Sequence, residues 1–129
     1  MFNIFRYIRI RWNALRTIRA RGINRCTYTS QQKLEKQAKD LAWLIVQNKF
    51  SDPVLTFKIR GHILRSKKIV RYAEIKGEMM TPDNRKVSFT LSNPYPFPFR
   101  MVMHVSKHGK DVARIQGNIH YCFEMLAGR

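Results

Sequence analysis

No aspartate or glutamate occurs before Glu35. Acid is scarce throughout: eight Asp and Glu residues stand against 25 Lys and Arg, giving a formal charge of +17 over 129 residues. Hydrolytic chemistry that needs two converging carboxylates is poorly supplied by such a chain. The imbalance favours a polyanionic partner instead: nucleic acid, an anionic membrane surface or an acidic protein. Cysteine is equally scarce. Cys26 and Cys122 alone make no disulfide framework, which suits a reducing compartment. No apolar run approaches the roughly 20 residues that span a bilayer. Arg6, Arg9 and Arg11 interrupt any secretory apolar segment. A Walker loop, GxGxxG and GxSxG are all missing, and no cofactor is expected.

What is present points to a packed domain. The hydrophobic share is 44% and there are fifteen aromatic residues, too many for a wholly disordered basic tail. The length fits one α+β domain over 27–129, preceded by a basic helical arm over 1–26. In that arm, Ile4, Phe5, Ile8, Trp12, Leu15 and Ile18 recur at helical spacing, and arginines fill much of the remainder up to a break near Gly22. A second helix is expected from Thr29 or Ser30 to about Asn48. Thr29 with Gln32 fits a capping box, and the apolar stripe is Leu34, Ala38, Leu41, Ala42 and Ile45, widened by Leu44. Asp52-Pro53 closes the helical part.

From Val54 the apolar period becomes two. Leu55, Phe57, Ile59, Gly61 and Ile63 share one strand face; Ala73, Ile75, Gly77 and Met79 share that of a second; Val87, Phe89 and Leu91 that of a third. Thr81-Pro82-Asp83-Asn84 reads as a turn, and Asn93 to Pro98, with proline at every second position, as an extended loop. A fourth strand covers Phe99 to Val105, and a turn surrounds Gly109. The segment from 112 to 126 fits helix and strand equally well. Its Ile115-Gln116-Gly117-Asn118-Ile119 repeats the Ile-polar-Gly-polar-apolar pattern at Ile59 and Ile75, which favours a strand. Glycines in phase with core residues would leave a groove for the second helix. The expected architecture is that helix packed on a curved antiparallel sheet of about five strands. This is the general shape of cystatin-like, hotdog or NTF2-like folds, an analogy of architecture from which no function follows.

The candidate binding residues are two basic sets. The first is Arg6, Arg9, Arg11, Arg16, Arg19, Arg21 and Arg25 on the N-terminal segment, where the planar guanidinium suits phosphate. That segment also reads as a mitochondrial presequence, an interfacial membrane helix, or a helix docked on its own domain. The second set is Lys58, Arg60, Lys76, Lys86, Arg100 and Arg114 on the polar strand faces, interspersed with amide and aromatic groups.

Three weaker patterns also arise. His104 and His120 could flank a scissile phosphate in metal-independent RNA cleavage, as in small basic ribonuclease-like toxins. Glu74-Ile75-Lys76 with Asp52 resembles half of a metal-dependent nuclease motif, but the helix that should follow is absent from the pattern. His104, His108, His120 and Cys122 are ligand types without paired zinc spacing, so no metal is expected. The reading is a non-enzymatic nucleic-acid-binding protein, for RNA or DNA, working mainly through phosphates and compatible with a place in a ribonucleoprotein or DNA-processing complex. Its rivals are the ribonuclease and an inhibitor that docks on an acidic protein surface. The expected compartment is the cytoplasm, or the mitochondrial matrix if the arm is a presequence.

Overall fold

The computed structural model describes residues 3–20, 28–64, 67–94 and 99–128, with the backbone alone at 19–20, 28–31, 59–64, 67–72 and 94. The order is α1 (Ile4–Ala20), α2 (Tyr28–Gln47), β1 (Val54–Leu64), β2 (Lys67–Met80), β3 (Lys86–Pro94), β4 (Arg100–Lys107), β5 (Lys110–Gly117) and α3 (Ile119–Ala127). The five strands form one antiparallel meander in sequential order, an α+β architecture as the sequence pattern anticipates. The Thr29–Gln32 capping box and the loop over 95–98 lie outside the described side chains.

Strand alternation sorts the sheet into two unlike faces. Phe57, Ala73, Ile75, Met79, Val87, Phe89, Leu91, Met101, Met103, Val105 and Ile115 point to one side and are buried. The α2 stripe Leu34, Ala38, Leu41, Ala42 and Ile45 closes over them, joined by Leu44 and Val46. Beyond the helix, Phe50 stacks on Phe123 of α3 with ring centroids 5.7 Å apart, which ties the two helices together. Each Leu, Ile or Phe so buried contributes about 1.5–3 kcal/mol, making this face the main source of stability.

Turn chemistry fixes the register. Between β2 and β3, the Thr81 hydroxyl donates to the Asp83 carboxylate. It also accepts from the Arg85 backbone N–H at 2.9 Å. Asn84 takes the left-handed φ of 66° that asparagine tolerates. Between β4 and β5 the two loop residues, His108 and Gly109, both have positive φ (53° and 77°). That is the primed hairpin geometry, whose twist matches the flanking strands.

Three expectations need correction. The segment from 112 to 126 is neither all strand nor all helix: β5 ends at Gly117 and α3 begins at Ile119. Gly117 breaks the strand with a φ of 153°, and the Asn118 side chain caps α3 by accepting the Tyr121 N–H at 2.8 Å. The resemblance of this segment to the earlier Ile-polar-Gly runs is local and stops at the glycine.

Nor do Gly77 and Gly117 receive α2, while the surroundings of Gly61 lie outside the described side chains. A Cβ on Gly77 would sit 2.6 Å from the Phe89 ring and 2.9 Å from Leu55, so cross-strand side chains already fill that hollow. Gly117 is filled by the Tyr121 ring, 2.7 Å from where a Cβ would lie.

The third correction concerns α1. It docks through Tyr7, Ile10, Ala14 and Ile18, which join the same buried cluster as α2 and the sheet. The expected stripe of Ile4, Phe5, Ile8 and Trp12 is exposed; only Ile18, with Leu15 in part, turns inward.

The Gly77 contact is testable. Gly77→Ala should lower stability by about 1–3 kcal/mol in urea denaturation, because the new methyl overpacks Phe89. In a Phe89→Leu background the same change should cost well under half as much. Equal costs in both backgrounds would show that the ring is not what fills the site.

Candidate nucleic-acid interface

The face of the sheet opposite α2 carries three cross-strand rows, fixed by pairing register. Lys58 lies beside Glu74, then Ser92, then Arg100. Thr56 lies beside Lys76, Thr90, Val102 and Gln116; Val54 beside Glu78, Ser88, His104 and Arg114. Lys86 borders them on β3, opposite Met80. No described element covers this face. Its centre is short: Ser88 and Thr90 on β3, with Thr56 on β1, line a shallow hollow of about 370 Å³ bordered by Val54, Lys76, Glu78 and His104. Cations stand around those hydroxyls, with Lys58 and Lys76 on the β1–β2 side, Arg100 and Arg114 on the β4–β5 side, and Lys86 at the start of β3 itself.

All five of those cations are exposed. Two of them are tempered: Lys76 Nζ lies 3.3 Å from Glu74 Oε1, and Lys86 Nζ 3.6 Å from Glu78 Oε1. The Lys86–Glu78 pair is exposed at both ends and worth little, whereas Glu74 is only 12% exposed and holds Lys76 more firmly. Five cations against two carboxylates leave the face positive. Arg60 pairs with Tyr72, and its backbone alone is described.

The α1 arginines divide. Arg6 donates to Asp52 and to the Phe50 carbonyl, and Arg9 donates to the other oxygen of Asp52. These bonds pin α1 to the start of β1, so Arg6 acts as an anchor rather than as a free phosphate ligand. Arg11 and Arg16 are exposed. Arg19 is described as backbone only, and Arg21 and Arg25 lie outside the described residues. Partial burial works against ionisation of Asp52, but bonds and charge from Arg6 and Arg9 outweigh it and hold the carboxyl below its ordinary value. Apolar burial still dominates the docking of α1: Tyr7, Ile10 and Ile18 are worth several kcal/mol together, against about 0–1 kcal/mol for each exposed ion pair.

The catalytic alternatives do not assemble. His104 projects from the open face, between the inward Met103 and Val105. His120 sits in the first turn of α3 on the helical side, 3.6 Å from Asp40 of α2. The sheet lies between them, so the two cannot flank one phosphate. Asp52 is bound to Arg6 and Arg9 at the helical layer, while Glu74 and Lys76 pair on the open face, so the nuclease-like trio is dispersed as well. Cys122 is buried, donates to the Met101 carbonyl at 3.5 Å, and has its thiol pushed up to about 11 by burial. Neither reactive thiolate nor zinc ligand describes it, and no cluster of three metal-ligating residues occurs among the described residues.

The fold and face together define an α+β protein with one basic, hydroxyl-bearing sheet surface that none of the described residues covers. Comparison with protein-family models, curated proteins and solved structures finds no match. No helix among the described residues is long and apolar enough to cross a membrane. Sequence reading passed over Thr90 and Ser92, though placing Val87, Phe89 and Leu91 inward already turned both outward. It also left out Glu74 and Glu78, whose positions opposite Lys58 and Val54 depend on register.

Asp52 supplies a pH prediction. Its folded value lies below the ordinary 3.8, so its contribution is present above that value and lost as pH falls through the lower one. Asp52→Asn should therefore destabilise the protein by about 0.5–1 kcal/mol at neutral pH, a small effect because the carboxyl is part-exposed and screened. The gap to wild type in thermal melts should close below that window. A gap that persists in strong acid would mean that Asp52 acts by packing rather than charge.

Proposed function

We propose that this protein is a non-enzymatic nucleic-acid-binding protein that holds the phosphate backbone of a single strand on the open face of its sheet. The observation that supports this reading is a row-ordered surface of five exposed cations around a hollow floored by Ser88 and Thr90, with Ser92 in the next row, on a face left uncovered by every described element. Adjacent strands lie about 4.8 Å apart and successive rows about 6.8 Å apart, so the backbones at Lys76 on β2 and Arg114 on β5 are roughly 16 Å from each other. An extended phosphate chain can bridge that distance and meet both, with hydroxyl donors between. Among the described residues of the face, His104 carries the only ring, so stacking on bases is sparse. Recognition then runs through phosphate and sugar, with weak sequence preference. A place in a ribonucleoprotein or DNA-processing assembly, working in the cytoplasm, fits such a role.

Affinity for short oligo-U and oligo-dT should fall with salt, with a log–log slope between about −2 and −3.5, given about −0.7 per neutralised phosphate on a single strand. Lys76→Ala/Arg100→Ala/Arg114→Ala should reduce the magnitude of that slope by about 2 and weaken binding by more than tenfold. Circular dichroism should stay unchanged, since all three side chains are exposed. A flat salt response, or full affinity in the triple variant, would overturn the assignment. The ratio of oligo-U to oligo-dT affinity decides between RNA and DNA through the 2′-hydroxyl.

A further inference from the structure

Helix α1 has a second apolar face that the fold does not use. Ile4, Ile8 and Trp12 follow one another at every fourth residue, with Phe5 alongside. Their exposures are 52%, 51%, 55% and 82%. At 1.5 Å per residue the row from Ile4 to Trp12 is about 12 Å long. A contiguous row of large apolar side chains left in water marks an interaction surface. Charge frames the row: Arg16 continues the same line one turn beyond Trp12, Arg9 stands next to Phe5, and Arg11 lies on the opposite flank. No acidic residue occurs in α1.

We infer that this face of α1 seats the protein on an anionic lipid surface. The occupant follows from shape, composition and sign. The face is convex, the outer side of a surface helix, which suits a soft planar interface. Ile, Phe and Trp are the residues that settle at the headgroup–acyl boundary, while flanking arginines stay among anionic headgroups. Nucleic acid would engage the arginines and could stack on Phe5 or Trp12, but would leave the aliphatic Ile4 and Ile8 in water. A second copy would bring two sets of flanking arginines together on an already strongly basic chain. The helix needs no further folding to present this face, because Tyr7, Ile10, Ala14 and Ile18 hold it and Asp52 fixes its end. α1 belongs to the helical layer, so seating it on lipid leaves the open sheet face accessible to a separate ligand.

The test uses the full chain, with Trp43→Phe so that Trp12 is the one fluorescent tryptophan. Vesicles of phosphatidylcholine with phosphatidylglycerol should shift its emission to the blue and sediment the protein, with at least tenfold greater affinity than pure phosphatidylcholine. Phe5→Ser/Ile8→Ser should reduce vesicle affinity at least tenfold, with thermal stability unchanged because both residues are exposed. Arg11→Gln/Arg16→Gln should remove most of the preference for anionic lipid, since each basic group near such a surface is worth roughly fivefold. Absence of vesicle binding, or wild-type binding by the Phe5/Ile8 variant, overturns the inference. If vesicles are ignored while poly-glutamate retains the protein through Phe5 and Ile8, the face belongs to an acidic protein and the lipid assignment fails. If vesicles are ignored and sedimentation shows a dimer abolished by the same variant, it belongs to a second copy. The Lys76/Arg100/Arg114 variant should bind vesicles normally, so this surface and the sheet face stand or fall separately.

Discussion

Phe57, Ile75, Phe89, Met103 and Ile115, one from each strand, point to the same side of the sheet, and the α2 stripe lies over them. Because side chains alternate along a strand, burying these residues sends Lys58, Lys76, Ser88, Thr90, His104 and Arg114 to the other side. All three helices contribute to the one buried cluster, so the covering material is spent on a single face. The polar face is therefore a consequence of the core, and its cations are ordered by the same register that aligns the apolar residues. Where the turns at Thr81–Arg85 and His108–Gly109 set that register, they also set which cation stands beside which hydroxyl.

Helix α1 adds a second consequence. It carries apolar residues around much of its circumference, and packing uses the row that pairs best with its neighbours rather than the most hydrophobic one. Tyr7 lies edge-on to Trp43 at 5.9 Å, and Ala14 is small enough for close approach. Arg6 and Arg9 then meet Asp52, the acid at the entrance to β1. Two of the arginines that look like a free basic arm thus hold the helix in place. The row left over, with Arg11 and Arg16 beside it, becomes an outward surface of mixed apolar and basic character.

Much of this was legible in the residues because alternation is a strong signal: the inward positions of Phe57 in β1, of Ala73, Ile75 and Met79 in β2 and of Val87, Phe89 and Leu91 in β3, the α2 stripe and the Thr81–Asn84 turn all follow from period and turn chemistry. The failures have physical causes. At α1 two apolar rows compete, and spacing alone does not say which one meets the sheet. At Gly117 and Asn118 a local resemblance suggested continuity, while the cap formed by Asn118 and the helical spacing of Ile119, Cys122, Phe123 and Leu126 pointed the other way. For the site, the outward cations of the sheet were readable, but their pairing with Glu74 and Glu78, and the separation of His104 from His120 by the thickness of the sheet, exist only once the strands are in register.

Mapping amide chemical-shift changes by NMR while titrating a short single-stranded oligonucleotide tests whether polyanions bind on the open face of the sheet. The account predicts that the changes gather on β2 to β5 around Lys76, Ser88, Thr90, His104 and Arg114 and spare the outer face of α1. Changes confined to α1, or scattered without preference for the sheet, would contradict it.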